Sequence, residues 1–106
     1  MAGRARLLLA DSLGCMLAGL GHGRPRGFGA ALAATMPGAI RVAGIEAGLS
    51  QAGAAALLAA AMGWDEANEG LARAHGAPAL AVAPFCIAAL AEGRVTLGEA
   101  LAAFAL

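Results

Sequence analysis

Apolar side chains recur at helical spacing almost from the start of the chain. Leu9, Leu13, Met16, Leu17 and Leu20 follow the i, i+4, i+7, i+8, i+11 progression of one apolar face, which predicts a helix over residues 4–20. Gly14 and Gly19 within it are small positions where another backbone has room to approach. Residues 19–29 carry five glycines and Pro25, the composition of a loop. A short helix is expected from Gly29 to Met36, stopped by Pro37-Gly38, and residues 39–44 hold the one strand-like alternation, a brief one.

The second half is patterned by caps and punctuation. Ser50 is the expected N-cap of an alanine-rich helix over Gln51–Met62, which Gly63 ends. Residues 64–76 then gather Asp65, Glu66, Asn68, Glu69, Arg73 and His75, the densest set of titratable groups in the chain. Pro84 is expected as the first residue of a helix that runs to Glu92. Gly93-Arg94 reads as a turn, and Thr96-Leu97-Gly98-Glu99 as a capping box that opens a last helix. That helix has an apolar face of Leu97, Leu101, Phe104 and Ala105, and the sequence stops at Leu106 without a cap. A helix begun so well and cut off within its stripe reads as an interrupted chain. The expectation is an all-α fold, a partial helical bundle over residues 1–106.

Composition weakens the core that this pattern could build. The hydrophobic fraction is 60%, but 32 of the 106 residues are alanine, and burying an alanine removes little area from water. Seven arginines balance five glutamates and two aspartates, so the net charge is zero. With a pI near 6.7, that balance argues against a dedicated nucleic-acid binder or a polybasic membrane anchor. Lysine and tyrosine are absent, which removes two common catalytic side chains. Cys15 and Cys86 lie far apart on helix-like segments, as two thiols of a reducing cytoplasm would, and not as a disulfide framework or a zinc site.

The mean hydropathy of +0.75 raises the question of a membrane. Two uncharged stretches, residues 47–64 and 74–91, approach the ~17–20 residues that a span needs. Glycine, serine and glutamine interrupt the first, histidine and two prolines the second, and alanine supplies most of their hydropathy. At the N-terminus Arg4 and Arg6 precede Leu7-Leu8-Leu9, but Asp11 ends the apolar run too soon for a signal peptide. The chain reads as cytoplasmic and without a membrane segment.

Few motifs carry chemistry. The glycine-rich Gly21–Gly27 follows a helix, not a strand, and lacks the Lys-Ser/Thr ending of a phosphate loop. Arg26-Gly27-Phe28-Gly29 opens like an RNA-recognition signature and fails at Ala30-Ala31. His22 and His75 have no metal-ligand spacing to each other or to the carboxylates. His75 beside the Asp65-Glu66 pair is the better constellation, because carboxylates tune and orient an imidazole that exchanges protons near neutrality.

Three blocks in order resemble the MmgE/PrpD family, which includes 2-methylcitrate dehydratase and cis-aconitate decarboxylase. The first is Leu8 to Gly19, similar to the family's opening Asp-x-x-Gly-x-x-x-Ala-Gly helix. The second runs from Ile40 to Gly44, then through Ser50 and the alanine helix to Met62-Gly63-Trp64-Asp65-Glu66, and is similar to a helix entering an acidic loop. The third is His75, then Pro84 and its helix, then Thr96 to Leu106. The resemblance implies the N-terminal portion of a larger all-helical domain in a cofactor-free lyase. Such an enzyme acts on small di- or tricarboxylates, with the partner either a second copy in a homodimer or the missing C-terminal portion. It implies His75 as the proton-transfer group, Asp65 and Glu66 as the carboxylates that orient the site, and no metal or cofactor ligands. Further catalytic groups, lysine included, would lie beyond Leu106, so the 106 residues alone are expected to be inactive and poorly stable or self-associating.

The sequence departs from the family pattern at several places. The family's first acidic-loop aspartate falls on Gly63, the preceding histidine on Ala60, and its Asn-Gly at about Ala55 and Ala56. His75 is followed by Gly76 in place of proline. Two readings of a different class stand beside the lyase: a small helical interaction module, and an alanine-rich structural protein associated with a membrane.

Overall fold

The computed structural model describes residues 2–64 and 78–104. Five helices and one short strand follow in order: α1 (Ala2–Leu20), α2 (Gly23–Thr35), β1 (Pro37–Ile40), α3 (Gln51–Gly63), α4 (Pro78–Ala91) and α5 (Leu97–Phe104). The architecture is all-α, as the pattern predicts.

Helix α3 is the centre of the arrangement, packed by α1, α2 and α4. Its Gly53, Ala54, Ala55, Leu57, Leu58, Ala61 and Met62 are buried. The face through Ala52, Ala56, Ala59 and Ala60 stays half-buried or exposed, and alanine lets the neighbours of the buried sides come close. Ser50 begins it as expected, with its Oγ accepting the Gly53 N–H at 3.1 Å. Around α3 the core gathers Met16, Leu20, Ile40, Ile45 and Leu49 with the alanines of α3 and α4.

The helix α1 buries a different stripe from the one expected. Leu9, Met16 and Leu20 face the core, but Leu13 is 37% and Leu17 65% exposed, and Ser12 is fully buried in their place. The cause is Gly19, where a Cβ would collide with the Ala61 carbonyl and lie 2.7 Å from the Ala61 Cα. Contact between these two backbones rolls α1 toward the Ser12–Gly19 side and lifts Leu13 and Leu17 outward. The Ser12 hydroxyl finds no hydrogen-bond partner among the described residues.

The glycine-rich stretch expected to be a loop is instead the first half of α2, which starts at Gly23 behind an extended His22. Pro25 does not oppose this, because an amide in the first turn has no acceptor within the helix. Gly29, inside α2, faces Ile45 and Leu57, whose side-chain carbons would lie 2.6 and 2.9 Å from an added Cβ. The strand-like piece also shifts, from 39–44 to Pro37–Ile40, and bridges back to Leu49 in antiparallel sense. The Gly38 N–H donates to the Gly48 carbonyl at 3.3 Å, and the Ser50 N–H to the Met36 carbonyl at 2.9 Å.

Pro84 is not the first residue of its helix. It is buried inside α4, which begins at Pro78. The earlier proline takes the helix-opening role, and packing of the all-apolar α4 on α3 outweighs the amide that Pro84 lacks. Both punctuation marks after it hold. Gly93 adopts φ +72°, and the Gly93 and Arg94 amides donate to the carbonyls of Leu90 and Ala89 at 3.0 Å, a Schellman ending. The Thr96 N–H donates to Glu99 Oε2 at 2.7 Å while the Glu99 N–H donates to Thr96 Oγ1 at 3.2 Å, the reciprocal capping box. Among the described residues no helix is long and apolar enough to cross a membrane.

Candidate functional site

Asp65, Glu66 and His75, the candidate catalytic residues, lie outside the described residues. On the N-terminal side of the acidic pair the described residues end at Trp64, the residue before Asp65. Trp64 is the C-cap of α3, in helical conformation, with its N–H donating to the Ala61 carbonyl at 3.2 Å. Its indole is 43% exposed, and the His22 imidazole lies 6.1 Å away, centroid to centroid, tilted by 43°.

The His22–Trp64 contact follows from packing between the helix ends. The Gly19–Ala61 approach brings the C-terminal ends of α1 and α3 together. The turn after α1 is closed by the Gly21 N–H to the Ala18 carbonyl at 3.2 Å and by the His22 N–H to the Gly19 carbonyl at 3.0 Å. His22 therefore stands at the end of α3, and α2 continues from it with Arg24 and Arg26 in its first turn. Linear spacing assigns His22 no partner, because its neighbour Trp64 is far along the chain. The signal that could have found the pair is Gly19, whose need for a close backbone becomes visible only once the opposing helix is known.

Four of the positions that depart from the family pattern sit on α3, and Gly76 lies outside the described residues. Ala60 and Gly63 are half-buried, Ala55 is buried and Ala56 half-buried. Only Ala55 lies on a fully buried side of the helix, where close neighbours favour a small side chain.

Three of the grooves on the described surface bear on chemistry. The most apolar, about 170 Å³, runs between α1, α4 and residues 40–43, with Leu13, Leu17, Leu20, Val42 and Ile87 in its walls and Arg41 its one charged group. A second, about 230 Å³, lies between α4 and α5 and includes Cys86 and Glu99. A third, about 400 Å³, holds Arg26 and Glu46 beside Gly44. None joins a base, an acid and a cluster of cations. Burial pushes the Cys86 thiol up from its ordinary value, so it is a poor nucleophile at neutral pH. Among the described residues no group of three or more His, Cys, Asp or Glu side chains could hold a metal ion.

No family model matches the sequence, and neither the curated proteins nor the solved structures provide a match.

Proposed function

We propose that the chain is the N-terminal part of an MmgE/PrpD-type helical domain and supplies part of the site of a cofactor-free lyase. The substrate would be a small di- or tricarboxylate, losing water or carbon dioxide by acid–base chemistry. His75 would transfer the proton, with Asp65 and Glu66 orienting it, and cationic groups would hold the substrate carboxylates. The observation that carries this reading is the order of the three resembling blocks along the sequence. The all-α architecture supports it: the helical parts of the blocks fall on α1, on the Ser50-capped α3, and on α4 and α5, while residues 40–44 continue from the end of β1 and Asp65, Glu66 and His75 lie outside the described residues. The partner would be a second copy in a homodimer or the remaining portion of the domain, covering apolar side chains such as Leu7, Leu17, Phe85 and Leu97 that are exposed here.

The experiment is to isolate the native polypeptide, measure its intact mass, and assay that form for loss of water or carbon dioxide from a panel of di- and tricarboxylates. Turnover abolished by His75→Gln and reduced by Asp65→Asn supports the lyase. No turnover of any polycarboxylate by a native polypeptide longer than these 106 residues or by a complex with its partner chain, or turnover indifferent to His75→Gln, refutes it. The same exposed side chains favour a second reading, a helical module that binds a partner chain, which co-purification of a stoichiometric partner with no lyase activity would support.

A further inference from the structure

The outward face of α1 is as regular as its inward one. Gly3, Leu7, Ala10, Gly14 and Leu17 recur at steps of four, three, four and three residues, the a/d spacing of a helix that meets another along a seam. All five are exposed, and Leu7 is 73% so. At 3.6 residues per turn this stripe stands opposite the buried Leu9, Ser12 and Met16. One helix thus carries two apolar faces, and the core of the described residues uses only one.

The glycines supply an independent observation. Among the described residues a Cβ at Gly3 or Gly14 would meet nothing within 4 Å, in contrast to Gly19, where it would collide with Ala61. Neither has a positive φ, a conformation found only at Gly44 and Gly93 among the described glycines. Nothing among the described residues requires glycine at either place, and each destabilises the helix relative to alanine. A second backbone passing close over this face supplies the missing reason.

Charge selects the occupant and its direction. With Leu7 and Gly14 at a positions and Ala10 and Leu17 at d, Arg6 falls at g and Asp11 at e. In a parallel, in-register pair each g side chain faces the e side chain five residues further along the other helix. Arg6 of each copy then meets Asp11 of the other, twice by symmetry. Antiparallel pairing that sets Leu7 against Leu17 instead brings Asp11 against its own copy.

We propose that α1 pairs with α1 of a second copy of this chain, parallel and in register. The seam runs along Gly3, Leu7, Ala10, Gly14 and Leu17 and is flanked by Arg6–Asp11 ion pairs between the copies. The proposal rests on the homodimer part of the reading above and stands without the lyase, because its test reads mass and not turnover.

Sedimentation equilibrium of the full chain over a dilution series tests it. The expected result is a monomer–dimer equilibrium between 10.3 kDa and twice that mass. Asp11→Arg should weaken the dimer about tenfold or more, and Arg6→Asp with Asp11→Arg should restore it to within about threefold. Gly14→Ala should weaken the dimer while raising the melting temperature of the dilute monomer, a pair of opposite signs that a glycine needed inside the fold would not produce. Far-UV circular dichroism confirms that each variant folds. A chain monomeric at about 500 μM, a dimer indifferent to Asp11→Arg or Gly14→Ala, or a single swap that the double swap fails to repair would each overturn the proposal.

Discussion

Gly19→Ala and Gly14→Ala make the same chemical change on the same helix, and the structure assigns them opposite signs. In isolation, alanine for glycine inside a helix stabilises by about 1 kcal/mol. At Gly19 the new Cβ would fall on the Ala61 carbonyl group, 2.7 Å from the Ala61 Cα, where carbon atoms ordinarily rest ~3.5–4.0 Å apart. The obstacle is backbone, not the tip of a flexible side chain, so α1 and α3 must separate by about 1 Å at this end. That movement loosens the core cluster that Met16 and Leu20 share with Leu58 and Met62. Overpacking of this kind costs ~1–3 kcal/mol, and a rigid obstacle places it at the upper end. After the propensity gain, the net loss should be about 1–2 kcal/mol, lowering Tm by about 5–15 °C for a domain of this size. Gly14, with open space around it, should keep the gain and raise Tm by about 3–6 °C. Thermal melts followed by far-UV circular dichroism, at protein concentrations low enough to keep the chain monomeric, measure both. A Gly19→Ala protein that melts at or above the parent would refute the close approach of α1 to α3, and with it the roll of α1 that exposes Leu17.

Three further outcomes follow from other contacts. Ser12→Ala removes a buried hydroxyl without a partner among the described residues, and should raise stability by about 1 kcal/mol in urea denaturation. Thr96→Ala deletes the acceptor for the Glu99 N–H; it should cost about 1 kcal/mol, seen as a lower midpoint in the same titration. Because burial raises the Cys86 pKa, the folded chain disfavours the thiolate that the unfolded chain accepts. The sign is therefore that stability is unaffected below the ordinary thiol value of 9.0 and falls as pH rises above it. Replacing Cys86 with alanine should reduce the Tm loss between about pH 8 and about pH 10, and an unchanged loss would show that another group causes it.

Local chemistry made much of this fold legible. The Ser50 cap, the Gly93 turn and the Thr96–Glu99 box involve partners at most five residues apart, so their hydrogen bonds follow from order in the chain. The alanine-rich α3 was equally legible, since its propensity and its burial both point to a helix. Glycine and proline misled, because each has two structural meanings that only surroundings separate. The glycines of residues 23–29 read as a loop, yet Gly29 lies within a helix where Ile45 and Leu57 leave little space for a Cβ. Pro84 read as a helix start, yet Pro78 already opens that helix and packing holds Pro84 in its interior. For the candidate site, the sequence identifies Asp65, Glu66 and His75 by type and resemblance, whereas the His22–Trp64 contact exists only through the meeting of distant helix ends.

The sequence by itself thus determined the helical class, the caps and the chemistry available, because each depends on residues within a turn or two of one another. Tertiary structure decided which face of α1 is core. Two apolar stripes of similar strength run along that helix, one through Leu9 and Met16 and the other through Leu7 and Leu17. Periodicity cannot choose between them, but a glycine set against the backbone of α3 does, because only the absence of a Cβ at residue 19 lets the two helices touch.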